Sequence, residues 1–189
     1  MAVEVATARR LFNREEYHRM GEVGILKPTD RVELIRGEIV EMSPIGSRHI
    51  AFVNNLNQLL VVRLAGRAIV SVQNPVVLAD DTEPQPDLAI LRLRSEPSYK
   101  DVEPHASDVL LLIEVAETSL SYDRSTKLRL YAEMGIPEYW VVNGPAASLE
   151  VYRLPGPGGY RDVRRVSGNA TVTLQAFPDV ALTTGEIFA

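Results

Sequence analysis

Cysteine is missing altogether from this 189-residue chain. Its absence excludes disulfides, thiolate nucleophiles, iron–sulfur clusters and cysteine-ligated zinc, and it suits a reducing compartment. Histidine is scarce: His18, His49 and His105 stand in unrelated contexts and make no zinc motif. No apolar run approaches the length of a bilayer-spanning helix, so no membrane partner is expected. Excess positive charge is lacking too, because 20 Lys and Arg face 25 Asp and Glu for a net charge of -5. That argues against coating nucleic acid by bulk electrostatics, while leaving room for a local basic cleft. Neither a Gly-x-Ser-x-Gly elbow nor a Walker phosphate loop occurs, which removes support for α/β-hydrolase and P-loop chemistry. The first residues, Met1 to Ala6, have neither the basic opening nor the apolar core of a secretory leader, and the expected location is cytoplasmic.

What is present is ordinary globular material, with 46% hydrophobic and 24% charged residues and no internal repeat. The length suits one domain over residues 10–189, and residues 1–9 carry so little pattern that a flexible N-terminus is expected. Asn13 followed by Glu16 resembles a capping box for a short helix ending near Gly21. Residues 31–42 alternate apolar and charged positions around Gly37, the pattern of a hairpin. Ser47 is placed to cap a helix to Leu64 with Ile50, Val53, Leu56, Leu60 and Leu64 on its apolar stripe. Extended segments are expected over 68–73, 75–78 and 86–91, with a surface loop over 92–107. Val109 to Val115 is the most apolar strand and belongs at the sheet centre. A helix capped by Ser121 or Asp123 should run to Met134, where Gly135 and Pro137 stop it. A strand over 138–142 follows, with Tyr139 and Trp140 as core or interface aromatics, and then a β-rich tail with strands expected around Leu149 to Leu154, Tyr160 to Val166 and Thr171 to Leu174.

The chemistry concentrates in three acidic and basic positions. Glu114 sits in the run Val109 to Val115, where an unpaired carboxylate costs several kcal/mol or neutralises itself. Alternation puts Glu114 with Leu110 and Leu112 on one face, opposite Ile113 and Val115. If the strand opened by Pro86 lies alongside, Asp87 and Glu114 meet at one sheet edge, and two carboxylates with waters suit Mg²⁺. Such an ion can bind a scissile phosphate and activate water, with Lys127 beside it stabilising the developing charge. Asp123, Lys127 and Tyr131 follow an i, i+4, i+8 spacing and share a helix face. Singly, each has a plainer reading: Asp87 as a strand-end residue, Asp123 and Lys127 as an ion pair, Glu33 as a solvated hairpin residue, His49 as a structural histidine. Glu33 could equally add a carboxylate to the site, and His49 a contact to phosphate or a catalytic water. Their joint occurrence favours the site.

The linked series Glu33 to Pro44, His49, Gln85-Pro86-Asp87, Ile113-Glu114-Val115-Ala116, Tyr122 to Tyr131 and Gly135 to Val142 resembles the Uma2 family of endonucleases, formerly a domain of unknown function. The likeness spans residues 10–155 in order. It implies the PD-(D/E)xK restriction-endonuclease-like fold: an α/β (α+β) domain with a central mixed β-sheet flanked by helices, here with an N-terminal helix and hairpin and a β-rich C-terminal tail. It also implies Mg²⁺-dependent phosphodiester hydrolysis, with Mn²⁺ as a substitute ion. Asp87 and Glu114 would be metal ligands, Lys127 the catalytic lysine and Glu33 a further acidic member, with His49, Asp123 and Tyr131 accessory. The sequence departs from the parent signature in having Ala116, not lysine, two positions after Glu114, so that Lys127 supplies the amine from the adjacent helix. It also has Ala116-Glu117-Thr118-Ser119 where many relatives have a serine-proline turn. Nucleic acid, DNA ahead of RNA, is the expected partner, and pairing into a homodimer would suit duplex cutting. The alternative is a non-catalytic nucleic-acid or protein-binding module retaining the fold.

Overall fold

Asn13 opens the first helix, α1 (Arg14–Glu22), by the reciprocal cap its spacing predicts: its side chain accepts the Glu16 amide and the Glu16 carboxylate accepts the Asn13 amide. The computed structural model describes residues 9–189, so the flexible N-terminus expected over 1–9 lies, Arg9 aside, outside the described residues. Strands β1 (Val32–Ile35) and β2 (Glu38–Glu41) form the antiparallel hairpin. Arg36 and Gly37 turn it at φ 51° and 77°, the left-handed pair that matches strand twist. Glycine is required at 37 twice over, because a Cβ there would lie 2.6 Å from that of Leu11.

Helix α2 (Ser47–Leu64) begins one residue earlier than expected: Ser47 is its first residue, and Gly46 stands at the cap position without a side-chain hydrogen bond. Its buried stripe is Val53, Leu56, Leu60 and Leu64, whereas Ile50 is 49% exposed. At 100° per residue His49, not Ile50, continues that stripe toward the helix start. The offset directs an imidazole, rather than a sec-butyl group, at the sheet.

Six strands form the central sheet in the order β3 (Ile69–Val72), β4 (Leu88–Leu91), β5 (Val109–Ala116), β6 (Glu138–Asn143), β7 (Ser148–Gly156) and β8 (Gly159–Ser167). All neighbours are antiparallel except β5 and β6. A parallel pair needs a crossover, and the helical run α3 (Leu120–Tyr122), a π-helical turn (Asp123–Lys127) and α4 (Leu128–Glu133) provides it. Every residue of β5 is buried, which agrees with the central place expected for it. One face of the sheet packs on α2 and the C-terminal segment through Ile113, Val115, Trp140 and Leu182; the other packs on α4 and the hairpin through Leu112, Tyr131, Tyr139 and Ile35. Leu110 belongs to the α2 side, against the simple alternation, because the pairing skips from Ile90–Leu111 to Leu91–Val109 and leaves it in a bulge.

Two of the expected tail strands, β7 and β8, extend the central sheet. The third, β9 (Thr171–Thr173), pairs instead with β10 (Ala181–Thr183), and α5 (Thr184–Ile187) follows. Glu138, fully buried at the start of β6, ties this tail to the sheet: it accepts from Trp140 Nε1 at 2.9 Å, Arg153 Nε at 2.8 Å and the Gln175 amide at 2.7 Å. Glu138→Ala strands all three donors, so a stability loss of about 3 kcal/mol is expected in urea denaturation. Among the described residues no helix is long and apolar enough to cross a membrane.

Candidate active site

Asp87 stands one residue ahead of β4, opposite Glu114 when the Leu88–Ile113 pairing is continued by one step. Regular pairing stops there, and the Asp87 carboxylate takes the place of a main-chain acceptor: Oδ2 accepts the Val115 amide at 2.8 Å. Its other oxygen, Oδ1, accepts from the Gln73 side-chain Nε2 at 3.3 Å and lies 2.9 Å from His49 Nε2. Gln73 adopts φ 50°, a left-handed conformation unusual for a residue with a side chain, and its amide donates to the Asp87 carbonyl at 3.0 Å.

Glu114, 4% exposed, points to the α4 side of the sheet. Its Oε1 accepts from Lys127 Nζ at 2.9 Å and from the Tyr131 hydroxyl at 2.8 Å. Lys127 Nζ is also 3.2 Å from Glu33 Oε2, which accepts the Gln85 amide at the same distance. The hairpin, the β4 edge, β5 and the crossover helix thus each contribute one member.

The π turn is what brings the crossover residues in. Asp123 lies inside the helical run, not at its cap, and both Asp123 and Lys127 are buried. Widening the turn by one residue keeps the two on the inner side together. The Ser119 hydroxyl, just before α3, donates to Asp123 Oδ2 at 2.6 Å. Tyr131 shares the site differently: it is fully buried behind Glu114 and does not line the cleft. Tyr131→Phe is expected to lower stability by about 1–3 kcal/mol in urea denaturation by deleting one hydrogen bond to a buried carboxyl group.

These groups line a cleft of about 360 Å³. Glu33, Glu41, Asp87, Glu114, Glu117 and Asp123 face it, against Lys127 and Arg31. Burial pushes the Glu114 carboxyl up to about 8 and that of Asp123 up to about 6, in both cases against the pull of Lys127. Burial pulls the Lys127 ammonium down, but Glu114 and Glu33 outweigh it and hold the group above its ordinary value. The Asp87 carboxylate raises the His49 imidazole despite opposing burial.

The donor set fits a hard divalent cation. Carboxyl groups outnumber bases around the cleft, Glu114 Oε2 carries no hydrogen bond among the described residues, and oxygen ligands are what Mg²⁺ and Mn²⁺ take. While Lys127 holds Glu114 Oε1, Asp87 and Glu114 do not close with a third ligand to within 4.8 Å; among the described residues that span is met by His18, Glu83 and Glu103. In that second group the cation is already supplied, because Arg14 lies 2.5 Å from Glu83 and 2.6 Å from Glu103.

Tyr122, Glu117, Gln73 and Arg31 also border the site or its acids. Among the described residues the Tyr122 hydroxyl and Glu117 Oε1 are buried without hydrogen-bond partners, and burial pushes the Tyr122 hydroxyl up to about 12. No spacing in the sequence marks these four: Arg31, Gln73 and Glu117 lie outside the helices and strands, and Tyr122 ends α3 just before the π turn. Of the residues expected in the site, Glu33, His49, Asp87, Glu114, Asp123 and Lys127 line the cleft.

Comparison with known proteins agrees with this architecture. No curated protein matches the chain. A crystal structure from Anabaena variabilis ATCC 29413, described as a putative nuclease belonging to DUF820, superposes with a TM-score of 0.73 over 94% of this chain and 97% of that one, at 17% identity. That likeness is one of fold. A family model described as "Uma2: Putative restriction endonuclease" matches residues 14–185, and with nearly all of its length accounted for, the chain belongs to the Uma2 family.

Proposed function

We propose that this chain is a metal-dependent endonuclease acting on nucleic-acid phosphodiester bonds, as a single domain over residues 10–189, with DNA ahead of RNA as substrate. The observation that carries the reading is the placement of Lys127 Nζ within 3.2 Å of Glu33 and 2.9 Å of Glu114, beside Asp87. Four segments distant in sequence supply one lysine and three carboxylates to one cleft, in a chain of this family.

Asp87 and Glu114 would hold the ion, Mg²⁺ or in its place Mn²⁺. When bound, such an ion offsets phosphate charge and lowers the pKa of a coordinated water. Lys127, kept protonated by Glu33 and Glu114, is suited to act as a fixed cation rather than a proton acceptor. It can orient the attacking water and stabilise charge on the phosphoryl oxygens. Glu33, 3.2 Å from Lys127 Nζ, would keep the ammonium in place if Glu114 were engaged by the ion. Tyr131 orients Glu114 from behind.

The test is incubation of the purified protein with end-labelled duplex DNA, single-stranded DNA and RNA in Mg²⁺, Mn²⁺ or EDTA. Cutting of duplex DNA that stops in EDTA is the expected result. Nucleic-acid binding without turnover in any ion would replace this reading with a non-catalytic binding module.

A further inference from the structure

His49 is the member of the site that the proposed chemistry leaves unused. Its Nδ1 lies 3.1 Å from the Val115 carbonyl. A carbonyl only accepts, so Nδ1 carries the hydrogen and the ring is fixed in orientation. That leaves Nε2 2.9 Å from Asp87 Oδ1, yet this buried nitrogen has no aligned hydrogen-bond partner among the described residues. The contact is one of proximity without hydrogen-bond direction.

A different chemistry accounts for such a spacing. Two ligands at adjacent corners of an octahedron, each about 2.1 Å from the metal, lie about 3.0 Å apart, close to the separation found between Nε2 and Oδ1. A histidine whose other ring nitrogen donates to a main-chain carbonyl also has the support typical of a metal ligand. The helical offset that turns His49 rather than Ile50 toward the sheet places this nitrogen in the cleft lining.

We infer that His49 Nε2 is a protein ligand of the divalent ion, forming with Asp87 Oδ1 one edge of its coordination shell. The inference rests on the metal-dependent reading above and deepens it. An imidazole ligand shifts preference away from Mg²⁺, which favours oxygen, toward ions that accept nitrogen, Mn²⁺ among them. Asp87 and His49 would then provide the preformed grip, and Glu114 would join on releasing Lys127, which keeps Glu33 as its partner.

The experiment pairs calorimetric titration of the intact protein with Mn²⁺ and Mg²⁺ against pulsed electron paramagnetic resonance of the Mn²⁺-loaded protein. The intact protein is expected to bind Mn²⁺ at least about tenfold more tightly than Mg²⁺, and the bound Mn²⁺ to show nitrogen modulation. His49→Gln should lose the modulation and at least about tenfold in Mn²⁺ affinity; His18→Gln should lose neither, which separates the site from the His18, Glu83 and Glu103 group. Mn²⁺ bound without nitrogen modulation overturns the inference even if His49→Gln fails to fold, and so does modulation that persists in His49→Gln or vanishes in His18→Gln. In those cases the nuclease reading survives provided Asp87→Asn still abolishes ion binding. Failure of the intact protein to bind either ion, or binding unchanged in Asp87→Asn, overturns both.

Discussion

Glu114→Gln should lower metal-dependent cleavage by about a thousandfold, the equivalent of the several kcal/mol a catalytic ion contributes, while making the metal-free protein at least as stable as the parent at pH 9. The two effects have one origin. Burial pushes the Glu114 carboxyl up to about 8 from an ordinary 4.5, with Lys127 opposing. Between those values the folded protein binds a proton that the unfolded chain releases, so stability falls as pH rises through the window and the loss is complete above about 8. Asp123, raised from 3.8 to about 6, adds a loss of the same sign at lower pH. In EDTA the parent should therefore lose stability, by up to a few kcal/mol, between pH 5 and pH 9. Glutamine keeps the shape without the charge, and the fall should flatten. Urea denaturation at pH 5, 7 and 9, beside cleavage assays, decides it. Parental cleavage by the variant, or an undiminished pH slope, would refute the role given to Glu114.

Lys127→Met is expected to damage both fold and function. The side chain is 5% exposed and holds Glu33 and Glu114 together. Removing one partner from a buried ionic cluster typically costs about 3–5 kcal/mol, because the remaining charge is left uncompensated. The Lys127 pKa is raised in the folded state, so its contribution is fully present below the ordinary value of 10.5 and is lost only as pH rises through the folded pKa. The deficit should accordingly persist from pH 5 to pH 9, and it should be smaller at pH 5, where Glu114 takes up a proton at less cost. Cleavage should fall by about a hundredfold to a thousandfold, as for loss of one charge-stabilising donor. Stability measured across this range, together with single-turnover cleavage at a temperature where the variant is folded, tests both parts. A variant as stable as the parent at pH 9 would show that the cluster does not need its cation.

The Asn13–Glu16 cap, the hairpin turn at Gly37, the stripe from Val53 to Leu64 and the buried strand around Glu114 were all legible because each is a local pattern. Hydrogen bonds and apolar faces between residues two to four apart leave periods of two or 3.6 in the chain. An apolar strand interrupted by a carboxylate, with an acid and a lysine nearby, marked Asp87, Glu114 and Lys127 as candidates, and the linked family motifs supplied the architecture. Errors arose where one residue disturbed a period. The bulge at Leu110 moved it to the opposite face, and the π turn took Asp123 from a helix cap to the interior. Ile50 and His49 exchanged roles for a related reason: one residue is 100° of helix, and an apolar residue beside the stripe is easily read as part of it.

What the sequence determined by itself was therefore the set of elements, their order, and the residue types able to support metal-assisted chemistry. The tertiary structure decided which of those groups meet. Lys127 is paired with Glu33 across 94 positions, and His49 faces Asp87 across 38. Strand pairing and helix packing set such contacts, and the proton balance within the cleft follows from burial, a property of the assembled molecule and not of any segment.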